Sequence, residues 1–110
     1  MQQYHALIAD YAATGLGSDV LVDSWCAENS LDESGWVALA ESIGTHYLEG
    51  QILYSVANDL MNELMPIAGW NSAPKRFWEY YIAFEDGGTL DEPDEQVRKA
   101  VLAVASRGAA

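Results

Sequence analysis

Two histidines, one cysteine and seventeen carboxylates are the groups in this 110-residue chain able to bind metals, move protons or attack carbonyls. A zinc site wants four Cys, His or carboxylate ligands, or three and a water. His5 and His46 fall in separate stretches, and neither has a ligand three or four residues away that completes a recognised site. The inward Glu-x-x-His pairs of di-iron bundles are absent. The run DGGTLDEPDE starts like a calcium loop but lacks its alternating ligands and central glycine. Both histidines therefore read as capped or surface residues, and no metal or cofactor is expected.

Nucleophilic chemistry finds no better footing. Cys26 follows Trp25 on an apolar helix face, and burial there raises a thiol's pKa and makes it inert. There is no Gly-x-Ser-x-Gly elbow and no glycine loop to cradle a phosphate. The pairs Asp32/Glu33, Glu85/Asp86 and Asp94/Glu95 sit at expected helix ends, where the helix dipole and solvation account for them. A catalytic site needs converging polar groups, and none is visible, so the chain is expected to be non-enzymatic with no catalytic residue.

What the carboxylates do offer is charge in an uneven arrangement. Seventeen acids face five bases, for a net charge of −12. Every base lies in the last third: Lys75, Arg76, Arg98, Lys99 and Arg107. Residues 1–74 carry Asp10, Asp19, Asp23, Glu28, Asp32, Glu33, Glu41, Glu49, Asp59 and Glu63 with no Lys or Arg at all. Such a field opposes direct contact with nucleic acid or an anionic membrane and steers a cationic protein inward.

The elements that must position these groups are helical. Tyr4, Leu7, Ile8, Tyr11 and Ala12 recur at three- and four-residue spacing and predict a first helix, ended by Gly15 and Gly17. Ser18 and Asp19 predict the start of a second, with Leu21, Val22, Trp25 and Cys26 inward and Asn29 at its close. Ser30 and Glu33 form a capping box for a third helix, whose apolar side is Trp36, Val37, Leu39, Ala40 and Ile43 before Gly44. The longest element is expected from Thr45 to Met65, with Leu48, Ile52, Val56, Leu60 and Leu64 in four-residue steps. Gly50 is then a defect costing about 1 kcal/mol relative to alanine. Pro66 stops that central helix. After a connection over 66–74, Ser72 is expected to cap a fifth helix with Pro74 in its first turn. That helix is dense in rings, with Phe77, Tyr81 and Phe84 on one face and Trp78 and Tyr80 partly elsewhere. Gly87 and Gly88 end it. A sixth helix runs from Asp91 to Arg107 and carries Asp94–Arg98 and Glu95–Lys99 pairs.

These signals predict an all-α fold, a compact bundle of about five to six helices in a single domain. Half the residues are apolar, enough to rule out disorder driven by charge. No apolar run is long enough to span a bilayer. The lone cysteine cannot form an internal disulfide, and the start MQQYHALIAD lacks a basic segment and a long apolar one, so a cytoplasmic location is expected.

The expected function is binding without chemistry. The acids and aromatics suit an inhibitor that occupies a basic protein partner, one that binds or cuts nucleic acid, in the manner of an immunity protein, an antitoxin or a phage anti-defence protein. Its contact residues are expected among Asp10, Asp19, Asp23, Glu28, Asp32, Glu33, Glu49, Asp59, Trp78 and Tyr80. The alternative is a helical structural or adaptor subunit acting through contacts with a second copy or another protein, where aromatics are enriched.

Overall fold

A glycine that ends one helix and a glycine that lets two helices touch look alike in sequence, and the architecture turns on telling them apart. The computed structural model describes residues 2–14, 19–86 and 93–108. They form six helices: α1 (Gln2–Thr14), α2 (Asp19–Glu28), α3 (Glu33–Leu48), α4 (Tyr54–Ala68), α5 (Lys75–Asp86) and α6 (Pro93–Gly108). Among the described residues there is no strand, so the chain is an all-α bundle.

The third helix does not stop at Gly44. It runs a further turn to Leu48, and Gly44 is buried in its middle. A Cβ at Gly44 would stand 2.7 Å from Cε1 of Tyr80, so the missing side chain is what lets α3 and α5 approach. The break falls at Gly50 instead, whose φ of +76° is the left-handed conformation that side chains resist. There the N–H of Gln51 donates to His46 O (2.9 Å) and that of Gly50 to Tyr47 O (3.0 Å), the paired bonds that satisfy the last carbonyls of a helix. The expected Thr45–Met65 helix is therefore two helices, and Gly50 is a terminator rather than a defect.

Other boundaries shift for equally local reasons. Asp32, not Ser30, caps α3: its backbone is extended, and its Oδ1 accepts from the Gly35 N–H (2.8 Å) and the Ser34 hydroxyl (2.9 Å). Pro66 lies inside α4, which continues to Ala68 and ends at Gly69, φ +96°. Proline removes one donor, but so close to the C-terminus the rest of the turn still closes, with Gly69 N–H on Met65 O (2.9 Å). Ser72 does not cap α5; its own N–H joins a turn back to Gly69 O, and Pro74 O accepts the first bond of α5 from Trp78. Asn29 closes α2 as expected, with both its backbone and side-chain nitrogens on Trp25 O. The assignments made for Gly15, Gly17, Ser18, Gly87, Gly88 and Asp91, and for the side chains of Asp19 and Asp94, lie outside the described residues.

The core gathers around α4, which packs against all five other helices. Its Ala57, Leu60, Met61, Leu64 and Met65 are fully buried, with Leu7 and Ile8 of α1, Leu39 and Ile43 of α3, and Phe84 of α5. Edge-on ring pairs tie α5 to α3, Trp36 against Phe77 (5.7 Å) and Tyr47 against Phe84 (5.5 Å). Tyr54 opens α4 and donates its hydroxyl to Phe84 O (2.9 Å). Arg98 of α6 donates to Leu48 O (2.9 Å) and lies over the Tyr47 ring (5.0 Å), a cation at the negative end of α3.

The two glycines give a paired prediction. Gly44→Ala gains helix propensity but drives a methyl into the buried Tyr80 ring, for a net loss of about 1 to 2 kcal/mol in urea unfolding. Gly50→Ala meets no atom within 4 Å. It nevertheless loses about 1 kcal/mol through backbone strain alone. A stabilising Gly44→Ala contradicts the close approach.

Candidate functional site

All five cations sit on α5 and α6, and four of them are engaged by the rest of the fold. Arg76 Nε lies 3.4 Å from Glu41 and its Nη1 4.0 Å from Glu79, with the guanidinium 5.4 Å from the Tyr80 ring centre. Arg107 donates to Glu79 (2.9 Å), Lys99 lies 3.5 Å from Glu95, and Arg98 serves the end of α3 as described. The cations are thus spent on α3, α5 and α6.

Four exposed acids of the other helices have no such company. Asp10 on α1, Asp23 and Glu28 on α2 and Asp59 on α4 are exposed, and among the described residues no Lys or Arg pairs with them. These three helices pack on one another. Glu33 and Glu49 are exposed at opposite ends of α3. Asp32 is exposed too, but its carboxylate is occupied by capping; the Gly35 N–H and then the Ser34 hydroxyl hold its pKa below the ordinary carboxylate value.

The tyrosines trace how far this negative field reaches. Burial first, then the Glu63 and Asp59 carboxylates and a hydrogen bond with Glu63, push the Tyr11 phenol well up. Tyr54 is raised by burial, Glu85 and Asp59; Tyr81 is raised by burial and Glu85. Asp59 of α4 and Glu85 of α5 thus act on the same ring. Tyr81 and Glu85 stand one turn apart on α5.

At Tyr81 the acidic surface meets rings. Trp70, Trp78 and Tyr81 contact one another with centres 5.6 to 5.8 Å apart, tilted or edge-on. Trp70 is 51 % exposed, with Ile67 and Ile82 also at the surface. The sequence placed Tyr81 in the core and Tyr80 partly outside; Tyr80 is the fully buried one, and Tyr81 is half-buried against the core. Tyr80 is 2 % exposed beneath Gly44 and is no contact residue, because α5 turns Phe77, Tyr80, Ala83 and Phe84 inward. Trp78 is half-buried and in contact with the exposed Trp70.

The histidines, placed apart by sequence, meet. His5 Nδ1 of α1 stands 2.8 Å from His46 Nε2 of α3, with ring centres 5.1 Å apart. His46 Nδ1 lies 2.6 Å from Ser42 O. A carbonyl only accepts, so this nitrogen carries the proton, and in the neutral ring Nε2 is left to accept from His5. The two residues are 41 apart in the chain, and no local pattern announces such a contact. Cys26 is half-buried; burial and then Asp23 push its thiol up to about 11.

Among the described residues no group of three or more His, Cys, Asp or Glu converges on a metal position, and no helix is long and apolar enough to cross a membrane. Compared with protein-family models, with curated proteins and with solved structures, the chain matches none of them.

Two measurements follow from these environments. The phenols of Tyr11, Tyr54, Tyr80 and Tyr81 are all raised above their ordinary value of 10.0. The folded state therefore keeps protons that the unfolded chain releases, so stability is intact below the unfolded pKa and falls as pH rises past it. Tyr11→Phe, which cannot ionise, lessens the loss seen by circular dichroism between about pH 9 and pH 12; an unchanged or steeper fall contradicts the assignment. The Cys26 thiol reacts with a disulfide reagent near neutral pH far more slowly in the folded chain than in urea, and equal rates contradict its burial.

Proposed function

We propose that this chain is a non-enzymatic binding protein that docks on a cationic protein surface and blocks it by occupancy. The observation that carries the reading is the separation of charge in three dimensions. Asp10, Asp23, Glu28 and Asp59 stand exposed without cationic partners on three helices that pack together, while Arg76, Arg98, Lys99 and Arg107 are taken up on the remaining three. Uncompensated carboxylates accelerate encounter with a basic partner and form charge-assisted hydrogen bonds to its Arg and Lys side chains. Trp70, Trp78 and Tyr81 offer the rings that dominate the energy of a desolvated contact. A basic surface built to hold or cut nucleic acid is the partner this chemistry suits, which keeps the reading of an immunity, antitoxin or anti-defence inhibitor as a proposal.

The second reading, a subunit that assembles with itself, draws on the exposure of Trp70 and its neighbours Ile67 and Ile82. It implies self-association that survives salt and is lost in Trp70→Ser. The electrostatic reading implies the reverse dependence on salt.

Charge-matched variants test the first reading with poly-lysine as probe. The triple change D10N, D23N and D59N slows association several-fold more than E41Q, E79Q and E95Q, although each removes the same formal charge. The difference shrinks as salt rises from about 10 to about 300 mM. Equal slowing by the two variants, or association indifferent to salt, contradicts it.

A further inference from the structure

We propose that the paired imidazoles of His5 and His46 form a surface binding site for a late first-row divalent transition ion, zinc in the first instance, that bridges α1 to α3. The proposal is independent of the partner-binding reading. Its basis is the convergence of two ring nitrogens from different helices, His5 Nδ1 and His46 Nε2, on one point 2.8 Å across. Imidazole is a ligand that zinc, nickel and copper share, and the two nitrogens are of a kind each of these ions takes.

The His46 ring is already set for coordination. Metal-bound histidines as a rule give their other N–H to a carbonyl or carboxylate, which fixes the tautomer and the ring's orientation. His46 does this through Nδ1 to Ser42 O at 2.6 Å, so its Nε2 lone pair is free to point across at His5. His5 is exposed. Its proton can leave Nδ1 for water while water protonates Nε2, with no net proton released, and its Nδ1 lone pair then faces the same point.

The spacing suits the change. With Zn–N bonds of about 2.05 Å at a tetrahedral angle, two coordinating nitrogens lie about 3.3 Å apart and their ring centres about 5.2 Å apart. The ring centres are 5.1 Å apart. Taking up the ion therefore requires the rings to turn so that the two nitrogens open by about 0.5 Å while the ring centres keep nearly the same separation. His5, Ala38, Glu41, Ser42, Thr45 and His46 line a depression open to solvent, so two waters complete the four positions, and the site supplies one protein ligand fewer than a built zinc centre. The net charge of −12 raises the local concentration of a cation.

Zinc chloride titrated into the 110-residue chain tests this, with ring-nitrogen NMR and a competing chelator dye as readouts. One ion binds per chain; the His5 Nδ1 and His46 Nε2 resonances move, and His46 Nδ1 keeps its proton. His5→Gln and His46→Gln each weaken binding by at least about tenfold, the least that loss of even an orienting partner costs. Wild-type binding no tighter than in these variants, as adventitious capture by the surface carboxylates would give, overturns the site. So does a saturated spectrum in which the two facing nitrogens do not move. Should a variant fail to fold, the wild-type nitrogen spectrum decides alone.

Discussion

The apolar packing of α4 against the other five helices is what the rest of this molecule depends on. Residues 1–74 bring ten carboxylates to the fold without one Lys or Arg among them, and like charges brought together oppose compaction. Burial of Leu60, Met61, Leu64 and Met65 against Leu7, Ile8, Leu39 and Phe84 supplies a non-directional attraction that does not depend on charge balance. Because the core carries that burden, Asp10, Asp23, Glu28 and Asp59 can stand exposed on α1, α2 and α4 without local cations.

The cations, by contrast, serve the architecture. Arg98 closes the end of α3, and Arg76 with Arg107 bracket Glu79 so that α3, α5 and α6 are laced at their surfaces. Exposed pairs of this kind each contribute little to stability. Their larger consequence is spatial, because they consume the positive charge on one set of helices. The uneven pairing of charge between the two sets of helices thus follows from one allocation. The paired imidazoles lie where α1, from the acid-only set, meets α3, from the laced set.

Much of this was legible in the sequence, and the failures are local and physical. The apolar spacing of Tyr4, Leu7, Ile8 and Tyr11, and of Leu60 and Leu64, identified faces that are buried. Helix number and class followed from that periodicity. Boundaries failed where one residue type serves two ends: Gly44 and Gly50 differ only in what lies beside them, a Tyr80 ring or open space. Ser30 and Asp32 are both good caps, and the choice falls to the one whose backbone is extended with the Gly35 N–H in reach. In the aromatic helix Phe77 and Phe84 face inward as expected, and the ring the core takes between them is Tyr80, three residues on from Phe77, rather than Tyr81, four residues on. The meeting of His5 with His46, and of Asp59 and Glu85 around Tyr54, joins residues far apart in the chain and needed the assembled fold to be seen.

If the unpaired carboxylates form a self-repelling field held in place by the core, screening that field should strengthen the fold. The urea midpoint of unfolding, compared between about 10 mM and about 500 mM sodium chloride, reads this directly. The account predicts a midpoint that rises with salt as repulsion among the acids of α1, α2 and α4 is screened. A midpoint that falls would mean that attraction in ion pairs such as Arg107–Glu79 outweighs that repulsion, and the division of charge would not be what governs this molecule.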